Sequence, residues 1–136
     1  MYDTILVAID GSNAANRAAD HALDLASEFD ADLHAIYVID TRRYGQSVLS
    51  DAGGVLDDIE ERGQKILVDL AARADVDVTS EIRSGRPDEE LDDYAGEIDA
   101  DLVVVGNRGL GTGPSGQIGS VAERVVRNAG RPVITA

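Results

Sequence analysis

Six glycines crowd into fifteen residues at GNRGLGTGPSGQIGS, 106–120, directly after the apolar run LVVV at 102–105. Ordering glycine costs more backbone entropy than ordering any other residue, so such a loop needs a reason. The chemistry it offers is main-chain N–H groups brought close to phosphate oxygens. Three glycine spacings compete. A Walker A loop requires G-x-x-x-x-G-K-[ST], and the chain's single lysine is Lys65, so that reading fails. A dinucleotide fingerprint G-x-G-x-x-G matches Gly111–Gly116, but it starts six residues after the strand. Its expected ribose-reading acid, about 20 residues on, has no place before the chain ends at Ala136. The third spacing is Gly106-x2-Gly109-x9-Gly119-Ser120. Here Gly106 turns the chain off the strand and Gly109 admits backbone donors to an anion. Gly119 and Ser120 open a helix whose unpaired N–H groups and dipole favour negative charge. The bland alternative is a surface loop ending in a serine cap.

A second polar group falls near the same place. Asp10 follows the apolar run TILVAI, 4–9, and precedes Gly11-Ser12. It is either a site carboxylate or a turn aspartate bonding its own backbone.

The elements that must position these loops alternate. Strands read at 4–9, 33–39, 76–83, 101–105 and 131–135. Helical spacing appears from Ala15 to Phe29, from Leu56 to Ala74, from Leu91 to Ile98 and from Ile118 to Val126. Ser12 or Asn13 caps the first helix, Pro87 suits the start of the third, and Gly130 caps the end of the fourth. Residues 40–54 lack periodicity and read as a mobile loop; 84–87 read as a turn. Regular β-α alternation implies an α/β fold, a doubly wound parallel sheet with helices on both faces. Such sheets bind ligands beyond the carboxyl ends of their strands, at the topological switch point. With 136 residues, one domain spanning 1–136 is expected.

Taken together, the pattern resembles the ATP-binding branch of the universal stress protein family. The resemblance is carried by ILVAIDGS at 5–12, YVID at 37–40, DLVVVGNRG at 101–109 and GSVAERVVRNAGRPV at 119–133. It implies a Rossmann-like five-stranded sheet in the order 3-2-1-4-5, and ATP, with Mg2+ or Mn2+, as the bound nucleotide. The site residues it implies are Ala8, Asp10, Val38, Gly106, Arg108, Gly109, Gly119, Ser120 and Val121. Asp10 would lie near ribose and base, and Val38 would hold adenine by main-chain groups. Ala8 stands where some ATP-binding members have proline. The resemblance also implies a homodimer through strand five (Pro132, Val133, Ile134, Thr135), whose apolar edge nothing later in the chain covers. The function implied is a nucleotide-dependent regulator of the stress response; the alternative is a slow adenine-nucleotide hydrolase or phosphotransferase. No catalytic residue stands out beside the glycine loop. A receiver-like phosphoacceptor fails, because strand three ends Arg83-Ser84-Gly85 without an acceptor aspartate. A scaffold that no longer binds nucleotide is disfavoured by the intact glycines.

Composition narrows the partners. The formal net charge is −14, from 26 acidic and 12 basic residues. Nucleic acid is therefore not an expected partner, since it needs a basic footprint. Acidity with so little lysine suggests a salty cytoplasm, where screening relieves the self-repulsion. There is no cysteine, and no apolar run long enough to span a bilayer, so a cytoplasmic protein without membrane contact is expected. His21 and His34 show no partner in sequence and read as surface or packing residues. Asp88-Glu89-Glu90 suits a helix first turn, and Asp57, Asp58, Glu60 and Glu61 read as a solvated helix face.

Overall fold

The computed structural model describes residues 2–41, 54–107, 120–128 and 130–136. Arg108, Gly109 and Gly119, the middle of the glycine loop, and most of the 40–54 segment lie outside these residues. The described elements are β1 (Thr4–Ala8), α1 (Asn13–Phe29), β2 (Asp32–Asp40), α2 (Val55–Ala72), β3 (Val78–Gly85), α3 (Pro87–Glu97), β4 (Leu102–Val105), α4 (Ser120–Asn128) and β5 (Val133–Thr135). All strand pairs are parallel, in the order β3-β2-β1-β4-β5. This is the architecture that the alternation and the resemblance imply.

Alternating side chains divide the core between the two sheet faces. Ile5, Val7, Leu33, Ala35, Leu102 and Val104 pack beneath α1 and α2. Leu6, Ile36, Val103 and Val105 pack beneath α3 and α4, with Leu91, Tyr94, Ala95, Ala122 and Val125. Buried alanines (Ala14, Ala15, Ala18, Ala19, Ala22 and Ala26) make the sheet-facing side of α1. Their small side chains let this helix sit close to the strands. Ser12 caps it, its Oγ accepting from the Ala15 N–H at 3.1 Å. Gly63 does similar work on α2: a Cβ there would stand 2.6 Å from the Tyr37 ring.

Several boundaries differ from the sequence reading. Ser84 and Gly85, expected in a turn, continue β3 and pair with Ile39 and Asp40. Ladder pairing with β2 holds them extended, and glycine accommodates the φ of +150° at position 85. Arg131 and Pro132 precede β5 rather than belonging to it. The Arg131 guanidinium instead donates to the carbonyls of Ala95, at 3.0 Å, and Ala100, at 2.8 Å, tying the end of α3 to the entry of β5.

Candidate functional site

β1 is flanked by β2 on one side and β4 on the other. The crossovers from β1 and β4 therefore leave in opposite directions, and the crevice between them is the switch point. Asp10 leaves β1 on one side of it, and Gly106-Asn107 leave β4 on the other.

Asp10 makes the turn that the bland reading assigned it. Its Oδ1 accepts from the Ser12 N–H at 2.9 Å, and Gly11 adopts a left-handed φ of +85°. This Asx turn carries the chain off the sheet and into α1.

Gly106 is glycine for a reason other than the one expected. β4 ends at Val105 and the chain bends at Asn107, but main-chain pairing spans Gly106 itself. The Ala136 N–H donates to Val105 at 2.9 Å, and the Asn107 N–H donates back to Ala136 at 2.8 Å. What requires glycine is the first turn of α1. A Cβ at 106 would lie 2.7 Å from the Ala14 carbonyl carbon and 2.8 Å from the Ala15 nitrogen. Gly106 is therefore a point of close helix-to-strand packing at the floor of the crevice.

Three of the expected site residues border one apolar cluster. Ala8 from β1, Val38 from β2 and Val121 from α4 are all partly buried and pack against the cluster under α3 and α4. Ser120 is the first residue of α4, and that helix runs back from the carboxyl end of β4. All three border the same apolar cluster, α4 begins beside Val121 at Ser120, and Asp10 follows the neighbouring strand β1.

The sequence reading missed Asn107 and did not identify the partner of His34. Asn107 sits between Gly106 and Arg108 with no periodicity to mark it. Its side-chain carbonyl Oδ1 is buried without a hydrogen-bond partner among the described residues. His34 does have a partner: its Nδ1 lies 2.9 Å from the Tyr94 hydroxyl. The Tyr94 ring also carries the Arg83 guanidinium, 4.8 Å from its centroid. Arg83 in turn pairs with Glu81 and Glu97. Burial pushes His34 below its ordinary pKa against the opposing pull of Asp32, and burial pushes the Tyr94 phenol up. Sixty residues separate His34 from Tyr94, so only the tertiary fold reveals the contact. It lies within the sheet–α3 layer and supports a packing role.

Among the described residues, no group of three His, Cys, Asp or Glu side chains is placed to hold a metal ion. None of the helices formed by these residues is long and apolar enough to cross a membrane.

A five-stranded parallel sheet in this order, with its loops meeting at a β1/β4 crevice, defines a doubly wound, Rossmann-like α/β protein. The profile of the universal stress protein family matches residues 1–136, and the chain belongs to that family. A universal stress protein of Methanocaldococcus jannaschii, MJ0531, is 34% identical over 138 residues, covering 98% of this chain and 81% of the relative. The solved structure of a universal stress protein family member from Burkholderia pseudomallei is 33% identical, with a TM-score of 0.79. That match covers 99% of this chain and 96% of the other. A universal stress protein solved in complex with cAMP is 27% identical, with a TM-score of 0.72, covering 99% and 96% of the two chains.

Proposed function

We propose that this protein binds ATP at the β1/β4 crevice and acts as a nucleotide-dependent regulatory homodimer. The observation that carries the reading is the convergence of Ala8, Val38 and Val121 on one apolar cluster, beside the N-terminus of α4. A nucleotide needs both surfaces: an apolar platform for the base and backbone donors with a helix dipole for the phosphates. Asp10 stands at the end of the strand between those of Val38 and Gly106 and borders the ribose. The glycine spacing 106-109-119-120 fits a phosphate wrap, with Arg108 adding positive charge. The cAMP complex of a family member supports an adenine nucleotide as the ligand class.

The described residues supply no carboxylate cage for a cation. A bound Mg2+ or Mn2+ would accompany the nucleotide, as Mg2+ commonly accompanies substrate phosphates. Its chemistry there would be neutralisation of phosphate charge, which matters on a chain of net charge −14.

The test is calorimetric titration with ATP, ADP, AMP and cAMP, each with and without Mg2+, in molar potassium chloride. Saturable binding of ATP is expected, strengthened by the cation. Absence of binding by any adenine nucleotide at millimolar concentration would overturn the reading.

A further inference from the structure

We propose that Asn107 reads the ribose, its side-chain carbonyl accepting a hydrogen bond from one of the two ribose hydroxyls. The inference rests on the adenine-nucleotide reading of the β1/β4 crevice and adds a residue to it.

Among the described residues, Asn107 Oδ1 is buried and has no hydrogen-bond partner. A buried carbonyl without a partner is costly, and native proteins leave few of them. The backbone on either side is well held. The Asn107 N–H donates to Ala136, and the Ala136 N–H donates to Val105, so main-chain pairing spans Gly106. The group thus stands two residues beyond the end of β4, its main chain held to Ala136. Its direction follows from alternation: position 106 faces α1, where a Cβ would meet Ala14, so position 107 faces the opposite side of the sheet. That is the side on which Ala8, Val38 and Val121 pack.

The donor it awaits can be identified by chemistry. Phosphate oxygens only accept, so a carbonyl has nothing to gain from them. An adenine nucleotide carries hydrogen-bond donors at the exocyclic amine and the ribose hydroxyls. Adjacent strands lie about 4.8 Å apart, so β4 stands roughly 10 Å from β2, with β1 between them. A base seated at Val38 on β2 with its phosphates at the α4 N-terminus must place its ribose between the two, toward β4. The hydroxyls then come within reach of position 107, while the amine lies at the far end of the base.

The experiment compares ATP with 2′-deoxy-ATP and 3′-deoxy-ATP by calorimetry, on the parent and on Asn107→Ala, with circular dichroism to confirm folding. The parent should bind ATP about tenfold more tightly than one of the two deoxy analogues. Asn107→Ala should bind ATP about tenfold more weakly than the parent and no longer distinguish it from that analogue. Equal affinity of the parent for all three nucleotides would overturn the assignment without any variant being made. So would a ribose preference that survives in Asn107→Ala. Neither result would touch the adenine-nucleotide reading, which fails only if the parent binds none of the three.

Discussion

The Tyr94 hydroxyl on α3 lies 2.9 Å from Nδ1 of His34 on β2, joining helix and sheet through a half-buried polar contact. Burial holds the folded-state pKa of His34 below its ordinary 6.5. The unfolded chain therefore binds a proton more readily, and stability should fall as pH drops through about 6.5 toward the lower folded value. Asp32 on its own strand acts on the ring, and around its partner Tyr94 stand Glu97 on α3 and Glu81 and Arg83 on β3. The melting temperature should be lower at pH 5.5 than at pH 7.5, and His34→Gln should flatten that slope. An equal slope in parent and variant would show that another group titrates. Asp101 does not confuse this window. The N–H groups of Thr4 and Asp3 hold its carboxyl below the usual range, so its contribution is lost only in stronger acid. Tyr94→Phe, which leaves the ring nitrogen unpaired, should cost on the order of 1 kcal/mol.

Glycine substitutions should separate by what a Cβ would meet. At Gly106 the obstacle is the backbone of α1, at 2.7 and 2.8 Å. Gly106→Ala should therefore destabilise by about 1–3 kcal/mol, the usual range for overpacking. At Gly96 on α3 nothing lies within 4 Å. Gly96→Ala should stabilise by about 0.5–1 kcal/mol through helix propensity. Denaturant midpoints measured side by side would check the opposite signs.

β5 is at the edge of the sheet, paired with β4 on one side, and Val133 and Ile134 are only partly buried. An uncovered apolar edge favours pairing with a second chain. Sedimentation in molar salt should give a dimer, and Ile134→Lys should shift it toward monomer. A parent that sediments as a monomer at micromolar concentration would contradict the homodimer.

A net charge of −14 on 136 residues should make stability depend on salt. The melting temperature should rise steeply between low and molar potassium chloride as self-repulsion is screened. A flat response would mean that the acidity is not an adaptation to salt.

The glycine loop can be tested position by position. Gly119→Val should lose most ATP affinity while the fold is kept, because its side chain would block the approach to the helix N-terminus. Ser120→Ala should cost on the order of 1 kcal/mol of binding. Gly113→Ala should be nearly neutral, since it belongs only to the rejected dinucleotide spacing. Calorimetry with Mg2+ ranks the three, and a reversed order would select the other spacing.

Much of the fold was legible because its signals are local. Continuous apolar runs such as Ile5–Val7 and Leu102–Val105 mark strands covered on both faces, and the Ser12 cap and Pro87 start are short-range chemistry. Alternation of the elements then limits the topology. The carboxyl end of β1 and the glycine-rich segment after β4 could be nominated as site positions on the same basis. The tertiary structure decided what depends on residues distant in sequence. Gly106 is required by Ala14, a helix start more than ninety positions earlier, and not by a turn of its own. The 84–85 segment is strand because β2 pairs with it. His34 is partnered because α3 folds across it, and Asn107 stands out only once burial leaves its carbonyl without a donor. Burial and close approach are properties of packed pairs, and no window along one chain contains both members.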